Sequence, residues 1–296
     1  ILDPGLKQLY DKCRIPITGV IPYTKLDIDD EDSLSERLDR RQTGTGIDAA
    51  VIRFPHISNF TDFGMLEGCE GVSVRYVNTA EELGKPDILF LPGSKNTMSD
   101  LLWIRQNGLE AGIQKAALEG CRIFGICGGY QMLGQRLMDP DGCEHGGELA
   151  GLGLLPVTTT FGKRKHRTRV EGRVEPIEGI YQGMSGVSAE GYEIHMGETC
   201  LLETCGRFAS VTDCVTGKQY PDGCVKGNIC GTYIHGILDA PGLLKGLLNP
   251  VFLEKGMTPG TYRDLAGYRQ EQYDILADVI RAHMDMDAVR RIIGLK

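Results

Sequence analysis

The sequence has no run of about 18 apolar residues, so no segment reads as a membrane-spanning helix. Its start, Ile1-Leu2-Asp3-Pro4-Gly5, has neither the basic stretch nor the apolar core of a signal peptide. It also lacks an initiating methionine, which points to a piece of a longer protein. There are ten cysteines but no C-x-x-C, and Cys200/Cys205 and Cys224/Cys230 are spaced too loosely for zinc. No metal site is expected. No G-x-x-x-x-G-K-[ST] occurs, which leaves no phosphate cradle for a nucleotide. Basic residues are in deficit, and a net charge of −8 weighs against a nucleic-acid partner. Internal repeats and low-complexity tracts are absent. Cysteines scattered along a chain without a signal sequence suggest reduced thiols in a cytoplasmic protein.

What is present is ordinary globular material, 41% hydrophobic and 24% charged, long enough at 296 residues for one large domain or two modest ones. Gly5 to Cys13 is helix-like. The apolar run Ile17–Ile21, between Pro16 and Pro22, reads as one buried strand. A lone strand cannot form a domain, so residues 1–26 read as the end of something else. Residues 27–45 are heavily charged with few apolar anchors and read as a linker.

From Ile47 onward, short apolar strands alternate with helical patterns. Strands are expected at Ala49–Phe54, Val72–Val77 and Asp87–Leu91, and helices at Asp62–Glu70, Met98–Ile104 and Leu109–Leu118. This β-α-β alternation predicts an α/β fold with a doubly wound, mostly parallel sheet, whose ligands sit at the carboxyl ends of the strands. Residues 139–160 look loop-like. The basic run Gly162 to Arg169 reads as a solvated loop, with acidic ligands as the alternative. Further strand pieces are expected at Arg169–Val174, Tyr192–Met196, Ala209–Thr212 and Gly223–Lys226. Asp264–Leu276 and Asp278–Ile293 read as a helical tail, with Ile275, Leu276, Val279 and Ile280 as its core.

The informative stretch is Cys121 to Gly134. Arg122–Ile126 is a short buried strand, and Gln131–Met138 has helical spacing. Between them, Gly125-Ile126-Cys127-Gly128-Gly129 has the form G-x-nucleophile-x-G. Small residues flank such an elbow because the strand must turn sharply into the helix. The turn presents Cys127 at a helix N-terminus, which favours thiolate. The plain alternative is a buried structural cysteine.

A cysteine nucleophile needs a base for its proton and an acid for the leaving group. Of His56, His145, His166, His195, His235 and His283, His235 is placed best, closing a late strand just before Gly236; His195 is second. An oxyanion needs backbone donors. The N–H of Gly128 follows the nucleophile, and Gly93 in Leu91-Pro92-Gly93-Ser94 comes from a neighbouring strand end. Together these point to acyl transfer through a thioester.

Gly125-Ile126-Cys127-Gly128-Gly129-Tyr130-Gln131-Met132-Leu133-Gly134 resembles the nucleophile motif of class I glutamine amidotransferases, in the branch of the cobyric acid and cobyrinic acid a,c-diamide synthases. Ile47 to Phe63, Leu91 to Thr97, Tyr192 to Gly197 and Gly231 to Gly236 are similar to further motifs of that branch, and Ile47 to Phe63 favours its cobyric acid side. The resemblance implies a glutamine amidotransferase domain over 46–242 and a helical extension over 243–296. It makes 1–26 a remnant of the ATP-dependent synthetase domain. It further implies Cys127 as nucleophile, His235 as acid/base, Gly93 and Gly128 as oxyanion donors, and Gln131 near the glutamine.

Ammonia from glutamine would then serve amidation of the b, d, e and g carboxylates of adenosylcobyrinic acid a,c-diamide. ATP and magnesium would belong to the absent synthetase domain, which is thus a partner along with glutamine and the corrinoid. An open docking face beside Cys127 and His235 is expected. Many relatives in the wider superfamily follow the histidine with Pro-Glu. Here Gly236-Ile237 follow, so the third member is missing, with Asp239 and Glu193 as candidates. The alternatives are an a,c-diamide synthase domain, an amidoligase acting on a cell-wall lipid, a silent docking module, or a thiol peptidase or esterase with the same elbow.

Overall fold

A computed structural model describes residues 2–24, 26, 46–203, 205–262 and 265–294. The charged segment 27–45 lies outside the described residues. Contacts divide the chain into two compact units: 1–29 with 264–296, and 30–263.

In chain order the elements open with α1 (Leu2–Cys13), β1 (Ile47–Ile52), β2 (Ile57–Ser58), a 3₁₀ turn (Phe60–Phe63), α2 (Gly64–Glu67), β3 (Val72–Val77) and α3 (Ala80–Leu83). Then come β4 (Ile88–Leu91), β5 (Gly93–Ser94), α4 (Thr97–Gln106), α5 (Leu109–Leu118), β6 (Arg122–Ile126) and α6 (Gly128–Leu133). A run of strands follows: β7 (Arg136–Asp139), β8 (Gly147–Ala150), β9 (Val157–Val174), β10 (Ser188–Leu201), β11 (Ala209–Asp213), β12 (Gln219–Asp222), β13 (Cys224–Lys226) and β14 (Ile229–Thr232). The helices α7 (Pro241–Glu254), α8 (Leu265–His283) and α9 (Met286–Ile292) come last.

The central sheet of the larger unit has the order β13-β14-β6-β4-β1-β3. All its pairings are parallel except β13 with β14 at one edge. Across the sheet from β3, the parallel strands stand second, first, third, fourth, fifth in chain order, an order whose switch point lies between β1 and β4. β4 and β6 are buried at every position, as strands covered on both faces must be. Phe63, Phe90, Phe124 and Phe208 form a chain of tilted and edge-on ring contacts through the core, with centroids 5.2 to 6.1 Å apart.

A second sheet, β12-β11-β9-β7-β8 with β10 on β9, is antiparallel except for β7 with β9. It corrects three expectations. Leu137 and Met138 continue no helix. After Gly134 the chain turns extended, Gln135 N–H donates to the Val157 carbonyl at 2.7 Å, and strand pairing overrides the helical spacing. The stretch 139–160 holds β8 and the start of β9. The basic run 162–169 is strand, within β9: β10 supplies the ladder partners of 166–169, and 162–165 form the irregularity where the register shifts. Cys205 and Cys224, expected as free thiols, are joined as a disulfide with Cα atoms 6.6 Å apart.

Helix α7 belongs to this unit, not to a tail that starts at residue 243. Leu243, Leu244, Leu247, Leu248, Val251 and Phe252 are buried. Its end is tied down by Glu254, which accepts two bonds (2.9 and 2.6 Å) from Arg122 of the buried strand β6.

In the smaller unit, Ile17–Ile21 is no buried strand. Ile17, Val20 and Ile21 are exposed, and Gly19 makes a single antiparallel bridge with Met284. With no neighbouring strand among the described residues, the apolar run has no ladder to join. The break expected near residue 277 is absent, since α8 continues to His283. Ile275 is exposed, and Leu276, Val279 and Ile280 are only half-buried. Among the described residues, no helix is long and apolar enough to cross a membrane.

Candidate active site

Strand β6 turns into α6 at Cys127, which has φ 52° and ψ −107°. A non-glycine residue held there costs on the order of 1–3 kcal/mol, so the surroundings must enforce it. They do. Cys127 N–H donates to the Thr232 carbonyl (2.8 Å), and the Cys127 carbonyl accepts from Gln131 N–H (3.0 Å). The elbow closes only over glycine: a Cβ on Gly129 would lie 1.9 Å from the Leu91 carbonyl oxygen, and one on Gly125 would lie 2.6 Å from Leu133 Cδ1. The sulfur of Cys127 faces the Ile194 carbonyl of β10 at 3.6 Å.

His235 follows β14, the strand paired in parallel with β6, so both side chains emerge at the same sheet edge. It is fully buried. Its Nδ1 lies 2.7 Å from Oδ2 of Asp62, whose other oxygen accepts from Gly236 N–H at 2.7 Å. Its Nε2 is buried with no hydrogen-bond partner. Burial favours the neutral ring, but the Asp62 carboxylate and the Cys127 sulfur outweigh it, and the pKa of His235 rises to about 10. Asp62 is 2% exposed and sits on the 3₁₀ turn after β1, beside the core ring of Phe63. Cys127 and His235 thus follow the carboxyl ends of neighbouring strands β6 and β14, and Asp62 reaches His235 from the 3₁₀ turn beyond β1 and β2.

Gly93, just past β4, completes that edge. A Cβ built on it would lie 2.9 Å from His235 Cε1, and one on Gly128 would lie 2.9 Å from the Ser94 nitrogen. The two proposed oxyanion glycines thus border one spot beside the nucleophile. Their loop is braced from below: buried Asp100 accepts from Ser94 Oγ (2.6 Å) and contacts His56 Nδ1 (2.8 Å). His56, one of the histidines weighed as a base, is occupied in that brace.

Residues 48–242 match the CobB/CobQ-like glutamine amidotransferase domain. The chain belongs to that family. The chain is 49% identical to a cobyric acid synthase of Ruminiclostridium cellulolyticum over 99% of this chain and 58% of that protein. It is 44% identical to one of Lachnoclostridium phytofermentans over 99% of this chain and 60% of that one. The chain thus spans about 60% of the length of these curated relatives. Among solved structures, PurLQS of Thermotoga maritima shares the fold, with a TM-score of 0.54 at 19% identity over 70% of this chain and all of that one.

Sequence reasoning missed Asp62 in this amidotransferase domain. It offered Asp239 and Glu193 for the third place, but Asp62 makes the bond to His235. Asp62 lies 173 positions before His235, so no local motif joins them. The one signal was an acid between apolar neighbours, Phe60-Thr61-Asp62-Phe63, in a segment already singled out. Glu193 points elsewhere, to Tyr220 and His166.

Gln131 is present but enclosed. It is 2% exposed, its Oε1 accepts from Thr97 (3.0 Å), and its amide donates to Tyr233 OH (3.1 Å). With both ends of its amide taken, it braces the elbow helix rather than presenting a free group. The expected open face is also closed: Cys127 is only 6% exposed. β10 covers it. Tyr192 pairs its backbone with His235, stacks on the imidazole with centroids 5.3 Å apart, and is tied to Asn59.

Proposed function

We propose that this chain is the glutaminase part of a cobyric acid synthase. The observation that carries the mechanism is the buried line from Asp62 through His235 to Cys127. Cys127 attacks the side-chain amide carbon of glutamine. The oxyanion is met by the backbone N–H groups of Gly93 and Gly128. His235, held as a cation by Asp62, gives its proton to the departing nitrogen, so ammonia leaves and a γ-glutamyl thioester remains. His235, now neutral, takes a proton from water as the water attacks the thioester. Glutamate leaves, and the sulfur is restored.

The ammonia serves ATP- and magnesium-dependent amidation of the b, d, e and g carboxylates of adenosylcobyrinic acid a,c-diamide. That half of the reaction is assigned to the portion of the relatives this chain does not span. No residue here is assigned to ATP or magnesium, since the sequence has no P-loop. The synthetase portion docks over β10, beside Cys127 and His235.

The test has two arms. A glutamine-mimicking electrophile should label Cys127, and Cys127→Ala should abolish glutamate release; labelling spread over Cys121 and Cys143 would refute the nucleophile. Incubation with glutamine, ATP-magnesium and the corrinoid diamide should yield amide only when the synthetase portion of a relative is added. Amide formed by this chain alone would refute the division of labour.

A further inference from the structure

On the face of β10 beside the elbow lies a second cluster that the glutaminase chemistry does not use. The β9/β10 register sets His166 directly opposite His195, and Glu193 falls two residues before His195 on the same face. His166 Nε2 is 3.0 Å from Glu193 Oε2, and His195 Nε2 is 3.6 Å from the same oxygen. One ligand-capable atom from each of the three lies within 4.8 Å of the others. They open onto a cleft of about 630 Å³.

Hydrogen bonding fixes the imidazole's direction. His195 Nδ1 is 2.7 Å from the Gly197 carbonyl, which can only accept, so Nδ1 carries a hydrogen and the neutral ring keeps its lone pair on Nε2. That Nε2 is buried without a hydrogen-bond partner, and so is Oε1 of Glu193, a residue 2% exposed. Protonating His195 would give Nε2 only an ion pair at 3.6 Å with Glu193 Oε2, beyond hydrogen-bond length, and would leave Oε1 of Glu193 orphaned. An orphaned buried polar atom is destabilising, because the water it gave up on burial is not replaced. A histidine with one nitrogen anchored on a backbone carbonyl and the other left bare is the arrangement that outer-shell bonds impose on metal ligands.

We propose that His166, Glu193 and His195 form a divalent transition-metal site of the zinc class, with its fourth position open to the cleft. Two imidazoles and one carboxylate are a donor set suited to zinc. The cation satisfies the orphaned Nε2 of His195 and, with Glu193 bound through both oxygens, its orphaned Oε1, which the His166–Glu193 contact alone cannot do. The cysteine pairs are spaced too loosely for zinc, whereas these ligands are brought together by the facing strands β9 and β10. The ion does not touch the reacting atoms. It positions: Ile194, between two of the ligands, supplies the carbonyl facing the Cys127 sulfur. The site stands whether or not the glutaminase reading holds.

The test uses the whole untagged chain, stripped with a chelator and titrated with cobalt(II) chloride. One equivalent should bind, with d–d bands and no thiolate-to-cobalt charge transfer. His166→Ala, at a half-exposed position outside the core, and His195→Ala should each weaken binding about 100-fold or more, and Glu193→Gln at least about 10-fold. Folding of each variant is checked by circular dichroism. Substoichiometric binding, a thiolate charge-transfer band, or unchanged affinity in folded His166→Ala would overturn the proposal.

Discussion

Asp62→Asn isolates the residue that the fold adds to the site. The change is nearly isosteric. Oδ1 continues to accept from Gly236 N–H, now at 2.7 Å, and this orients the new amide. Its NH₂ then takes the place of the oxygen that lies 2.7 Å from His235 Nδ1. Two donors cannot share that bond, so Nδ1 becomes an acceptor and the ring's hydrogen moves to Nε2. Nε2 is the nitrogen left for proton exchange at the sulfur, and it now has no lone pair to offer. The rise of the His235 pKa from 6.5 to about 10 corresponds to about 5 kcal/mol in favour of the imidazolium, and Asp62 is the first of the groups that raise it. Loss of most of that preference together with the wrong tautomer should lower kcat for glutamine hydrolysis by about 10³- to 10⁴-fold, the scale of the same change in a serine triad. KM should change little. The assay is glutamate release, with kcat and KM resolved and folding checked by thermal denaturation. A folded Asp62→Asn protein within about threefold of wild type would refute the argument, as would a larger loss from Asp239→Asn.

His235→Ala should reduce glutamine turnover about 10²-fold or more, and by more than His195→Ala; the reverse order in folded variants would move the acid/base role to His195. The His235–Asp62 pair also predicts a pH dependence of stability. The folded pKa is raised, so the contribution is fully present below about 6.5 and is lost as pH rises through about 10. The urea midpoint of wild type should therefore exceed that of Asp62→Asn most at neutral or lower pH, and the gap should shrink toward pH 10; a widening gap would contradict the sign. Gly129→Ala should destabilise by about 3 kcal/mol, since its Cβ meets the Leu91 carbonyl at 1.9 Å, whereas Gly162→Ala, with nothing within 4 Å, should be near neutral by urea denaturation.

The amino-acid sequence by itself determined the parallel sheet, the elbow at Cys127, the strand-end positions of Gly93 and His235, and the family. These are local matters: apolar runs of strand length, glycines where a Cβ cannot fit, and a histidine closing a strand before a glycine. What only the tertiary structure decided is whatever joins distant segments. Asp62 reaches His235 because the 3₁₀ turn after β1 is pinned by Phe63 in the core, and no spacing rule connects residues 173 apart. The amide of Gln131 is consumed by Thr97 and Tyr233, which meet it only after folding. Residues 166–169 become strand because β10 pairs with them. The same pairing sets His166 against Glu193 and His195. Helix α7 leaves the expected tail because six of its apolar side chains find cover on the larger unit. A side chain's chemical type can be read from the chain, but the partner that completes it depends on which strands the sheet order places side by side.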